Sequence, residues 1–278
     1  MRQTWKRMGA VLAALALCVV TASAVWAGGL DAFKGMKGNL DIAGGTAHIP
    51  VMEAAAKQIM QANHDVRVTV AGGGTGVGVQ KVGEGLVHIG NTGRALTEKE
   101  VAAYGLVSFP FALDGVATVV NPANPVANLT AQQIKDVFAG KIANWKDVGG
   151  KDAAIHLYSR DEASGTREVF WKKLLAKGAI VESANVVASN GAMKTAVAQD
   201  ADAIGYVSIG HLDATIKAPT LDGVAVTQEN AMSGTYPVVR KLYMNTKGEP
   251  TGLAKAFIDY VKGTDGVPAI KAAGYIPL

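Results

Sequence analysis

Arg160-Asp161-Glu162-Ala163-Ser164-Gly165-Thr166-Arg167 joins two segments of opposite periodicity. Before it, Ile155 to Ser159 reads as a strand. After it, Glu168 to Ala176 reads as a helix with Val169, Phe170, Leu174 and Leu175 inward and Gly178 at its end. A helix leaves its first four backbone N–H groups without intrahelical partners, and its dipole puts partial positive charge at that end. Glycine lets an anion approach the backbone, a Ser or Thr hydroxyl adds a donor, and an arginine fork matches a tetrahedral oxyanion bidentately. Arg160 stands four residues before Ser164, so the stretch reads as an arginine beside a helix-start anion nest. Glu162 is placed to hold the guanidinium, whereas Arg167 and Glu168 read as a solvated helix face.

Two more loops of this kind lie upstream. Leu40-Asp41-Ile42-Ala43, a strand, leads into Gly44-Gly45-Thr46-Ala47. A helical face of Val51, Met52, Ala55, Ala56, Ile59 and Met60 follows. Val66 to Val70 alternates as a second strand before the glycine loop Gly72 to Gly78. Leu106 to Val120 is strand-rich and stops at Asn121-Pro122-Ala123-Asn124-Pro125. Thr130-Ala131-Gln132-Gln133 fits a capping box for a helix with Ile134, Val137 and Phe138 buried and Gly140 at its end. Ala203 to Ile209 and Val238 to Tyr243 read as strands, and Leu253 to Val261 as a helix. This alternation specifies an α/β fold with mostly parallel strands.

At 278 residues the chain has room for two ordinary domains, and 49% apolar against 18% charged residues is enough for real cores. Aromatic residues, at 6%, are too few for a base-stacking protein. The net charge of +4 is concentrated at the start: Arg2, Lys6 and Arg7 precede an uncharged run from Met8 to Val20, then Ala22-Ser23-Ala24 and Val25-Trp26-Ala27. That is a secretory signal, too short for a membrane span, with cleavage expected after Ala27 or alternatively after Ala24. Without residues 1–27, 24 basic residues face 23 acidic ones, and the case for a nucleic-acid partner goes. Cys18, the only cysteine, follows Leu17 rather than the small residue that lipid attachment wants, so the exported chain is expected to be cysteine-free, unanchored and periplasmic.

The Arg160–Arg167 stretch resembles the phosphate-binding motif of the periplasmic phosphate-binding proteins, the receptors of phosphate-specific ABC importers. Other segments match in order: Asp114-Gly115-Val116-Ala117 leading to Asn121-Pro122, Leu129-Thr130 through Phe138-Ala139-Gly140-Lys141-Ile142-Ala143-Asn144-Trp145, Ser189-Asn190-Gly191-Ala192, Ala203-Ile204-Gly205-Tyr206-Val207, Gly234-Thr235-Tyr236-Pro237 and the final Gly274-Tyr275-Ile276-Pro277-Leu278. The resemblance implies a type II periplasmic-binding-protein fold: two α/β domains with mostly parallel sheets, joined by a double-crossing hinge. Domain I would combine 28–119 with 209–278, and domain II would be the inserted 120–208. Loop one would contribute Thr46 and Ala47, loop two Thr75 and Gly76, and loop three Arg160, Ser164, Gly165 and Thr166. The implied partners are inorganic phosphate and an ABC permease, with no cofactor, no metal and a monomeric receptor.

The chain departs from the family at His88-Ile89-Gly90, where Asp-Ile-Gly is common, and at Gly93, where many members carry an aspartate or serine. The family's aspartate accepts a hydrogen bond from the phosphate proton, a contact sulfate cannot make, so discrimination against sulfate is in question. Arg94 either adds charge to the cleft or lies on the surface. The rival readings are a receptor for sulfate, molybdate or tungstate, and a secreted phosphatase. The second has little support: His48, His64, His88, His156 and His211 form no helix-spaced pair, although His48 is close to loop one and His88 to loop two. Ser164 lacks a Gly-x-Ser-x-Gly elbow, and no Gly-Lys-Ser/Thr nucleotide loop occurs.

Overall fold

The computed structural model describes residues 29–278; the leader reading and Cys18 lie outside the described residues. The first half alternates β1 (Gly38–Gly44), α1 (Ile49–Ala62), β2 (Val66–Gly73), α2 (Gly74–Gly83), β3 (Ile89–Thr92) and α3 (Glu98–Tyr104), and then enters the 15-residue β4 (Leu106–Val120). The inserted half contains β5 (Asn128–Leu129), α4 (Ala131–Phe138), β6 (His156–Arg160), α5 (Gly165–Lys173), β7 (Asn185–Val187), α6 (Asn190–Gln199) and β8 (Ala203–Ser208). The chain closes with β9 (Thr220–Leu221), α7 (Gln228–Ser233), β10 (Val239–Lys247), α8 (Gly252–Lys262), α9 (Val267–Ala272) and β11 (Ile276–Pro277).

The large sheet runs β2-β1-β3-β10-β4-β8-β6-β7, with β11 also paired to β4. Its outer pairs are parallel: β1 with β2 and β3, and β6 with β7 and β8. The centre is antiparallel, because β4 pairs with β10 over Leu106–Gly115 and with β8 over Val116–Val120. One long strand therefore crosses from one half to the other. On either side lies a separate core, one built on α1, β1 and α8 around Phe33, Met52 and Phe257, the other on α4, α5 and β8 around Phe138, Phe170 and Tyr206.

The return crossing differs from the boundary expected at 208/209. Ile209 joins the first core, but Leu221, Tyr236 and Val238 pack in the second. β9 pairs with β5, and Lys217 N–H donates to the Val120 carbonyl. Most of the 216–238 segment thus covers the inserted half, held by pairing partners that short polar stretches in sequence do not reveal.

Local chemistry sets the helix starts. Thr130 and Gln133 make the reciprocal capping box that opens α4. α5 starts at Gly165, three residues ahead of the expected start at Glu168, because the Ser164 hydroxyl caps the Arg167 N–H. α2 corrects the expected Gly72–Gly78 loop: helix begins at Gly74 although each interior glycine costs about 1 kcal/mol relative to alanine. Packing overrides propensity there, since a Cβ on Gly78 would fall 2.4 Å from the Asn91 carbonyl oxygen.

Candidate functional site

Three strand-to-helix loops converge between the two halves. They enclose a small cavity, about 10 Å³, with Thr46 and Ala47 from loop one, Thr75 from loop two, and Arg160, Ser164, Gly165 and Thr166 from loop three. Gly44 at φ +123° turns the chain out of β1, and Gly73 and Gly74 at +125° and +89° do the same after β2, conformations that L side chains rarely adopt. Loop one is braced from behind, where Tyr275 Oη donates to the Ala47 carbonyl at 2.6 Å and His211 Nε2 to the Thr46 carbonyl at 3.2 Å.

Gly76 is the one expected site residue that does not line the cavity. Its N–H donates to the Ala163 carbonyl at 3.0 Å, so it joins loop two to loop three directly. The same closeness explains two other glycines. A Cβ on Gly74 would stand 2.8 Å from the Ala163 carbonyl oxygen, and one on Gly165 would stand 2.2 Å from Thr75 Oγ1.

Arg160 is 2% exposed. Its Nη2 donates to the Ala188 carbonyl at 3.0 Å, while Nε and Nη1 are buried without a partner. Burial pushes its pKa down, and the Asp161 carboxylate opposes that only through space. Glu162 is exposed and does not hold the guanidinium, a correction to the expected role; the Ala188 carbonyl takes that part.

A second guanidinium, not anticipated from the sequence, enters from β10. Arg240 donates from Nε to Asp114 Oδ2 at 2.7 Å and from Nη2 to Thr166 Oγ1 at 3.0 Å. Asp114 is fully buried and also accepts from Ser208 Oγ. Arg240, Leu242 and Met244 share the buried face of β10, so the signal that was there to use is period two: a cation on an apolar face requires a partner. Arg240 also accounts for Gly93. A Cβ there would lie 2.6 Å from Arg240 Nη1, and that guanidinium is pinned by Asp114, leaving no room for an aspartate.

Every hydroxyl in the lining has its oxygen engaged. Thr46 Oγ1 accepts from the N and Nδ2 of Asn190, Thr166 Oγ1 from Asn190 Nδ2 and Arg240 Nη2, Thr75 Oγ1 from Gly93 N, and Ser164 Oγ from Arg167 N. Each hydroxyl keeps its proton available to donate. The backbone N–H groups of Gly165 and Thr166, the first two of α5, have no carbonyl within the helix to bond. His48 also lines the cavity, but burial and then the charge of Arg240 push its pKa down to about 3, so it is neutral and adds no charge. No carboxylate is among the lining residues. The Arg240–Asp114 pair is balanced and Arg160 is not, which makes the cavity a donor-lined pocket with an excess positive charge.

Arg94 does not face the cavity. It bonds Glu100 through Nη1 and Nη2 at 2.8 Å each and reaches Glu168 on α5 through Nε at 2.5 Å. Glu168, expected on a solvated face, therefore ties the inserted half to the first.

A family profile described as PBP superfamily domain matches residues 34–263. The chain is 39% identical, over 89% of its length and 84% of the relative's, to the phosphate-binding protein PstS of Bacillus subtilis (strain 168). It is 28% identical to PstS of Pseudomonas aeruginosa PAO1 over 98% of its length and 95% of the relative's. Among solved structures it is similar to a phosphate ABC transporter substrate-binding protein from Clostridium perfringens with bound phosphate, with a TM-score of 0.81 and 33% identity, covering 87% of this chain and 100% of that one. An ABC-type phosphate transport receptor from Vibrio cholerae gives a TM-score of 0.68 and 34% identity, over 85% of this chain and 99% of the other.

Proposed function

The chain belongs to the PBP superfamily and, within it, to the PstS phosphate-binding proteins, and from that membership we propose that it captures inorganic phosphate between its two halves and delivers it to the permease of an ABC importer. The observation that carries this reading is the buried Arg160, whose Nε and Nη1 have no hydrogen-bond partner, in a pocket lined by donors. Burying charged donors without hydrogen-bond partners is costly, and a small anion is the partner they lack. The cavity, about 10 Å³, is far below the roughly 300–1,000 Å³ that drug-sized ligands occupy. That size favours a bare oxyanion over a nucleotide or a phosphate ester.

Phosphate binding would use Thr46, Ala47, Thr75, Arg160, Ser164, Gly165 and Thr166 as donors, with Arg240 adding positive potential. The two halves act as the two domains of a monomeric clamp, so that phosphate selects the closed arrangement in which all three loops meet. The role is that of a receptor outside the cytoplasmic membrane rather than an enzyme. Ser164 Oγ caps the Arg167 N–H, and among the described residues no histidine or carboxylate hydrogen-bonds it to take its proton. Among these residues, too, no helix is long and apolar enough to cross a membrane. A second tetrahedral anion such as sulfate is favoured by one observation, the lack of a carboxylate in the lining.

Calorimetry with phosphate on protein stripped of carried-over anion tests the assignment, with a one-to-one stoichiometry expected. Small-angle scattering should show a smaller radius of gyration with saturating phosphate. Failure to bind phosphate, with a folded protein, would refute the assignment.

A further inference from the structure

Asn190 is fully buried at the start of α6 and does not line the cavity. Its Oδ1 accepts the Ser208 N–H at 3.1 Å, which settles which way the amide faces. The Nδ2 group then spends both hydrogens on hydroxyl oxygens of opposite halves, Thr46 Oγ1 at 3.0 Å and Thr166 Oγ1 at 3.3 Å. Each of these oxygens receives a second donor: Asn190 N at 3.3 Å for Thr46, Arg240 Nη2 at 3.0 Å for Thr166. With both lone-pair positions taken, each hydroxyl can only donate.

We propose that Asn190 is a positioning residue for anion recognition, which fixes the Thr46 and Thr166 hydroxyls as obligate donors and so makes the pocket select the more deprotonated form of its tetrahedral ligand. The inference rests on the phosphate-receptor reading. It extends that reading by assigning the ligand's protonation state and the residue that sets it.

No histidine lining or bracing the pocket changes charge between about pH 6 and about pH 8. His48, at the start of α1, and His211, after β8, are held neutral, with pKa values pushed down to about 3 and about 4 by burial. Arg160 on β6 and Arg240 on β10 remain cationic, and Asp114 on β4 lies behind, paired with Arg240. Asp161, next to Arg160 in sequence, acts on it through space. A change in affinity across that interval therefore reports the second ionisation of phosphate itself.

The test is the phosphate dissociation constant of the full chain at about pH 6 and about pH 8, with folding checked by thermal unfolding. The wild type should bind more tightly at the higher pH. Asn190→Asp keeps the shape and the Ser208 contact but offers acceptors to both threonines, so their protons turn away from the ligand. Two hydrogen bonds to a charged ligand are lost, and affinity at about pH 8 should fall at least about a hundredfold. The pH dependence should also invert, because protonating the new buried carboxyl at lower pH restores a donor. Damage that was merely structural would weaken binding equally at both pH values and leave the slope unchanged, which would overturn the proposal. If Asn190→Asp does not fold, Asn190→Ala decides: the released hydroxyls can accept as well as donate, so the slope should flatten, and a wild-type slope would overturn the proposal. A wild type that binds no phosphate would overturn the functional reading along with it; a wild type that binds, with variants keeping its slope, would overturn this inference alone.

Discussion

Replacing Arg160 with alanine removes the one lining cation that no carboxylate balances by a hydrogen bond. In the closed protein its Nε and Nη1 have no protein partner, so two charge-assisted hydrogen bonds to the anion are at stake, and the contact to the Ala188 carbonyl only holds the fork in place. Truncating one partner of a buried, hydrogen-bonded charge pair costs about 2–5 kcal/mol. At about 1.4 kcal/mol per factor of ten, phosphate should bind roughly thirtyfold to several thousandfold more weakly. Arg160→Lys should fall between, keeping a charge but losing the planar fork. Arg167→Ala is the control: its side chain is half-buried on α5 and lies outside the pocket lining, so affinity should stay within about threefold. Calorimetry gives each constant and thermal unfolding confirms that each variant folds. If Arg160→Ala binds within about threefold of the wild type, the third loop is not the anion site, and the charge argument fails with it.

Gly165→Ala should fold normally yet bind phosphate at least about tenfold more weakly, because the added Cβ would lie 2.2 Å from Thr75 Oγ1 and force loops two and three apart; unchanged affinity would mean that loop contact is not needed for binding. Sulfate should displace phosphate at moderate excess, since no lining carboxylate is present to accept a ligand proton; competition calorimetry showing no displacement by a thousandfold excess would contradict the donor-only account. The Arg94 hydrogen bond is the main cause that pulls the Glu100 carboxyl from 4.5 down to about 2. A depressed carboxyl pKa stabilises the fold fully above the unfolded value and ceases to do so as pH falls through the folded one. The difference in Tm between wild type and Arg94→Ala should therefore be full near pH 6 and shrink from about pH 4.5 towards pH 2; a gap that does not shrink would place its origin elsewhere.

The three loops were legible because each is written in consecutive residues. Strand, glycine, hydroxyl and helix start follow one another within about ten positions, and capping chemistry acts over three or four of them. Arg160 with Ser164, Gly165 and Thr166, and the capping box at Thr130, belong to that local grammar. The α/β alternation came through for the same reason.

What the sequence left open depends on pairs far apart in the chain. Arg240 meets Asp114 across 126 positions, and Asn190 reaches Thr46 across 144. Only the sheet order, with β10 between β3 and β4, brings the second guanidinium to the pocket and fills the space a side chain at Gly93 would need. Gly76 turned out to be a contact between loops, and the 216–238 segment joined the inserted half through β5 and its core. The sequence by itself determined the fold class and the local donors, because backbone periodicity and helix-start chemistry are short-range. Which donors share one cavity, which way their protons point and what balances their charge were decided by tertiary packing, because burial and lone-pair occupancy exist only once distant segments meet.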